Sequence, residues 1–130
     1  MDNKYNLEDR LIQFASAISD IVDAMPNTRA GNYVAGQMIR CGIAPALMYA
    51  EAQAAESRDD FIHKMKIALK QLKETRFCLK IIDTKHLVGH DEKQQSTIIV
   101  CHELVAILGK SIETAKQNLF KEIENKKKGK

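Results

Sequence analysis

Seven apolar residues, Ile98, Cys101, Val105, Leu108, Ile112, Ala115 and Leu119, recur in alternating steps of three and four along the last third of the chain. Each residue of an α-helix turns by roughly 100°, so this spacing lines all seven along one buried stripe. Similar stripes run through earlier segments. No alternating apolar and polar run, no Asn-Gly hairpin signal and no β-branched cluster between turns interrupts them. The sequence therefore predicts an all-α protein.

A chain of 130 residues suits one domain with a core that needs no covalent staple. Aromatic residues make up 5% and Trp is absent, so the core is expected to be aliphatic and alanine-rich. Residues 1–124 are assigned to the bundle and 125–130 to a flexible basic tail. The start of the chain lacks the apolar core of a signal peptide, and no run approaches the roughly 18 apolar residues of a membrane span. Together these predict a cytoplasmic protein without membrane contact. The cysteines, Cys41, Cys78 and Cys101, are odd in number and fall inside helical patterns, which favours buried thiols over disulfides.

Capping residues and prolines divide the chain into four helices. The first begins after Asn6, buries Leu7, Leu11, Phe14, Ile18, Ile21 and Met25, and stops at Pro26. Thr28 caps the second, with Ala30, Val34, Met38 and Cys41 inward. Its small residues, Gly31, Ala35, Gly36 and Gly42, suggest close backbone approach to a neighbour. Pro45 is expected to kink this helix, which resumes from Ala44 to Ala55. Ser57 starts the third, whose inner stripe is Phe61, Met65, Ala68, Leu72 and Leu79, with Ile62 and Leu69 at its edge. The fourth runs from about Asp91 to about Ile123, with Gly109 at a point of tight packing. Short connections between helices of similar length predict an up-down-up-down antiparallel four-helix bundle.

One core cannot cover every apolar face. The third helix carries a second line at Ile67, Cys78 and Ile81, and the fourth repeats it at Val100 and Ile107. Apolar surface outside a core marks association, so a homo-oligomer is expected through these residues.

Catalysis finds little support. His86 and His90 have a zinc-like spacing but no paired cysteines nearby, and Cys101 and His102 point to different helix faces. Asp59-Asp60 reads as capping and Glu122 with Glu124 as a solvated helix. No Glu-x-x-His, Walker loop, dinucleotide fingerprint or nucleophile elbow is present. The residues predict no enzyme, metal site or cofactor. Arg29, Tyr33, Gln37 and Arg40 share one side of the second helix, with Glu51 and Arg58 further along. They suggest a polar network between helices or subunits, or a pocket for an anion.

The net charge of +3 comes entirely from the last ten residues, where five lysines face two glutamates. Within the neutral body, Lys66, Lys70, Lys73 and Lys80 lie along one flank of the third helix. Lys126, Lys127, Lys128 and Lys130 end the chain. Such lysines are usually only solvated, but an oligomer would gather them and favour phosphate contacts through counterion release. With few aromatics for stacking, backbone contact is the expected mode of binding RNA or another nucleic acid.

Three stretches, Arg29-Ala30-Gly31, Gly36-Gln37 with Arg40, and above all the block from Glu51 to Lys70, resemble the bacterial four-helix-bundle proteins named for intervening sequences in 23S ribosomal RNA genes. The resemblance extends from about Leu11 to Leu119. It implies a homopentamer without established enzymatic activity. A related group, the accessory proteins of diversity-generating retroelements, implies a basic ring engaging nucleic acid and a reverse transcriptase. The chain departs from the family pattern at Pro45, at Met48 and at Phe77-Cys78, where the family often has an aromatic pair. Two functions follow as expectations: a scaffold or accessory that binds nucleic acid, or a protein-interaction module that does not.

Overall fold

The computed structural model describes residues 6–89 and 91–129. Their regular elements are all helical: α1 Leu7–Asp23, α2 Arg29–Cys41, α3 Ala44–Gln53, α4 Arg58–Lys85 and α5 Glu92–Lys128. The starts are set by side chains that satisfy otherwise orphaned backbone donors. Asn6, Thr28, Ser57 and Asp91 accept hydrogen bonds from the backbone N–H groups of Asp9, Gly31, Asp60 and Gln94. At the other end of α4, His86 closes the helix in the left-handed region, with φ of 53°.

Specific pairs fix the direction of each arm. Arg10 meets Glu103 and Asp20 meets Lys93, so α1 runs antiparallel to α5. Arg58 pairs with Glu122, while Cys101 Sγ donates to the Leu72 carbonyl, which sets α4 antiparallel to α5. Glu51 pairs with Lys64, and Cys41 touches Cys78, so α2 and α3 together descend along α4. Ile18 faces Gly42 as the Glu8 charge acts on Tyr49, completing the antiparallel set with α1. Among the described residues, no Cα of α1 comes within 8 Å of one in α4, nor does any of α2 or α3 approach α5 as closely. The four arms therefore close a square in the order α1, α2/α3, α4, α5.

The second arm is two helices rather than one kinked at Pro45. The interruption falls at Gly42 and Ile43. Pro45 occupies the first turn of α3, where its missing N–H would have had no helical partner. The small residues of α2 divide in the same way. A β-carbon on Gly31 or Gly42 would collide with neighbours, whereas nothing lies within 4 Å of one placed on Gly36 or Gly109. Close approach thus explains the first two glycines only, and tight packing within the subunit does not explain Gly109.

Inside the square lie Leu11, Phe14 and Ile18 of α1, Met38 of α2, Met65, Leu72 and Leu79 of α4, and Leu104 and Leu108 of α5. Burying each such side chain fully contributes about 1.5–3 kcal/mol. The α4 stripe is rotated slightly from expectation, with Ile62 buried and Phe61 at the edge, while Ala30 of α2 is exposed. Polar residues also enter the stripes. Thr75 and Thr97 are accommodated because their hydroxyls donate to the Gln71 and Lys93 carbonyls at 2.8 and 2.7 Å. Gln94 is buried, and among the described residues neither of its amide atoms has a hydrogen-bond partner. Toward the C-terminus, α5 continues beyond Ile123 to Lys128, and Lys126, Lys127 and Lys128 form its last turn.

Candidate functional site

The side of α4 opposite the core presents a basic ridge. Lys66, Lys70, Lys73, Phe77 and Lys80 follow one another in steps of four, three, four and three, and all five are exposed. That spacing keeps them in one line, roughly 21 Å long at 1.5 Å per residue. Among the described residues none of the four lysines joins an ion pair; Lys80 Nζ lies 5.8 Å from the centre of the Phe77 ring. Their amines thus face solvent with no described carboxylate within 4 Å, though Asp59 and Asp60 line a hollow with Lys66. Glu74 stands on the shoulder of the ridge toward α2, where its charge acts on Cys41 and Cys78.

The second group of lysines sits elsewhere. Because Glu122 is already level with Arg58 at the start of α4, the last turn of α5 projects past the bundle. Lys126, Lys127 and Lys128 are exposed there, their positive charge favourably placed at a helix C-terminus. One subunit does not bring them beside the α4 ridge. Lys130 lies outside the described residues.

The second apolar lines fall on two opposite faces. Ile67 and Cys78 are half-buried and Ile81 is 47% exposed on the side of α4 turned toward the second arm, where Cys78 meets Cys41. Val100 and Ile107 are half-buried on the side of α5 turned toward α1. Ile107 lines a groove of about 830 Å³ with Leu7, Arg10, Tyr49, Phe61 and Lys110, and Val100 lines a hollow of about 220 Å³ with Arg10, Gln13 and Ala17. Both faces stay partly wetted in a single subunit. Exposed Tyr33, Leu47, Phe77 and Phe120 add apolar surface that stripe counting misses, since an isolated side chain carries no periodicity.

The predicted polar residues do not converge within the subunit. Glu51 pairs with Lys64 at 3.3 Å and Arg58 with Glu122 at 2.7 Å, whereas Arg29 and Arg40 are exposed and Gln37 half-buried on α2. Among the described residues no group of three or more His, Cys, Asp or Glu side chains is placed to hold a metal ion. His86 serves as the α4 cap, Cys101 is buried while His102 is exposed, and His90 lies outside the described residues.

The cysteines are free thiols. A hydrogen bond from the Cys78 thiol holds Cys41 at about 7, below the usual 9.0, against the opposing effect of burial. That same bond, followed by burial, pushes Cys78 upward. Burial raises Cys101 to about 12. These shifts arise within the helix seams, away from any cluster that would use a thiolate.

Residues 4–110 match the model of the 23S rRNA-intervening sequence protein family. The chain belongs to this family. The matched region includes α1 to α4 and about half of α5, so the α4 ridge is within it and the lysine-rich end of α5 is beyond it. A similar solved structure is that of a protein with unknown function from the S23 ribosomal protein family of Bacteroides thetaiotaomicron. It is 27% identical with a TM-score of 0.74, covering 82% of this chain and 97% of that one. No curated protein gives a significant match. Neither the family's description nor that of this relative assigns a catalytic activity. Among the described residues of this intervening-sequence protein, no helix is long and apolar enough to cross a membrane.

Proposed function

We propose that this chain is a non-catalytic, self-associating bundle that serves as a scaffold or accessory in a nucleoprotein complex, holding RNA by its phosphate backbone. The observation that carries the reading is the α4 ridge, where Lys66, Lys70, Lys73 and Lys80 point outward without ion-pair partners among the described residues. A row of unneutralised amines gains from displacing the counterions of a polyanion, and such binding is tolerant of sequence. The lysines of the α5 end add a second contact area.

Self-association rests on the two apolar faces. Because Ile67, Cys78 and Ile81 lie opposite Val100 and Ile107, joining one face to the other leads head to tail from copy to copy, an arrangement that forms a ring when the rotation between copies closes. Family resemblance supports five subunits. A ring would multiply the lysine ridges, so weak contacts would act together. A reverse transcriptase is the kind of protein partner that the related accessory proteins suggest, and the free thiols suit the reducing cytoplasm.

The competing reading is a protein-interaction module that never touches nucleic acid, supported by exposed Tyr33 and Leu47. Two measurements test the proposal. Light scattering is expected to give a multiple of 14.7 kDa, and a single species of that mass would remove the ring. Titration with a structured RNA at about 50 mM salt is expected to show binding that weakens steeply with added salt. No binding at low salt would leave the protein partner.

A further inference from the structure

We infer that Phe77 is a stacking platform for an unpaired nucleotide base, so that the α4 ridge selects single-stranded nucleic acid over duplex. This inference rests on the nucleic-acid reading above and specifies its ligand. Phe77 occupies the one position between Lys66 and Lys80 on the ridge that is not lysine, and 62% of it is exposed. It points away from Met65, Leu72 and Leu79, so nothing in the subunit's core can cover it. The Lys80 ammonium, 5.8 Å from the ring centre, steadies the ring from one side by cation–π attraction.

Charge decides between possible occupants. Seating this ridge on another copy would bury Lys70, Lys73 and Lys80, and at the groove lined by Ile107 the neighbouring carboxylate, Glu103, is already held by Arg10 while Lys110 adds a further cation. A nucleic acid instead brings phosphates to the lysines and a flat base to the ring. Bases within a duplex already stack on each other, whereas an unpaired base has a free face for an aromatic side chain. Stacking accepts any base, so the site would be specific for strand state and tolerant of sequence.

The test uses the full chain with labelled oligoadenylate and with the duplex it forms on oligouridylate. Phe77→Ala should weaken single-strand binding by about tenfold and leave duplex binding unchanged. Since the chain contains no Trp, Phe77→Trp introduces a single indole whose fluorescence should be quenched by the single strand. Equal single-strand affinity for wild type and Phe77→Ala, or an unquenched indole in the bound complex, would overturn the stacking site while leaving the phosphate reading intact. A fall in molecular mass on Phe77→Ala would assign the ring to a neighbouring copy and equally overturn it. Failure of wild type to bind either nucleic acid at low salt would remove both readings.

Discussion

Gly42 and Ile18 approach so closely that a β-carbon on the glycine would stand 2.5 Å from Ile18 Cγ2. This contact lies where the second arm breaks between α2 and α3, and only a residue without a side chain lets the arm lie against α1 there. Gly42→Ala is expected to destabilise the fold by about 1–3 kcal/mol through overpacking. Gly36→Ala and Gly109→Ala, with open space around the new carbon, should each stabilise it by roughly 0.5–1 kcal/mol through helix propensity. Urea unfolding of the three variants checks both signs.

Alkaline pH should weaken the fold through Cys101. Its folded-state value is raised to about 12 from 9.0, because burial disfavours the thiolate. The stabilisation is fully present below pH 9, where folded and unfolded chains both hold the proton, and is lost between pH 9 and pH 12 as only the unfolded chain releases it. Burial raises Tyr49 in the same direction. Cys41, lowered to about 7, has the opposite sign and adds stability from pH 7 to pH 9. Urea midpoints across this range should therefore fall only at the alkaline end, and less steeply for Cys101→Ala than for wild type.

The head-to-tail arrangement makes a mixing prediction. Ile81→Lys spoils one face and Ile107→Lys the other, so each variant alone should be monomeric. Mixed together, they retain one intact pairing and should form a dimer. Ile81 is exposed, and its substitution should change monomer stability by no more than about 0.5 kcal/mol. Light scattering of each variant and of the mixture reads the result, with a thermal melt verifying that Ile107→Lys is folded. Dimers of either variant alone would indicate a face that pairs with itself.

Local chemistry was legible in the sequence, and distant contacts were not. Asn6, Thr28 and Ser57 start helices because their own side chains accept nearby backbone donors, and the stripes fix the inward faces to within about one residue. Ile62 and Phe61 exchange roles at the α4 edge since two adjacent apolar residues satisfy the same pattern. Pro45 misleads because its missing donor matters only inside a helix. The break falls at Gly42, where Ile18 from another arm leaves no room for a side chain, and no local pattern at Gly42 reveals that contact. On the ridge, the lysine spacing was readable from the sequence alone. Phe77 was not, because one apolar residue on a polar line carries no period.

Phosphate contact by the α4 ridge is tested most directly by the salt dependence of RNA binding, with wild type beside a variant carrying Gln at Lys66, Lys70, Lys73 and Lys80. If these four amines each engage a phosphate of a single strand, the slope of log affinity against log salt should contain a contribution of about −3 per bound subunit. The variant should lose that contribution. Affinity indifferent to salt, or an identical slope in the two proteins, would contradict the account.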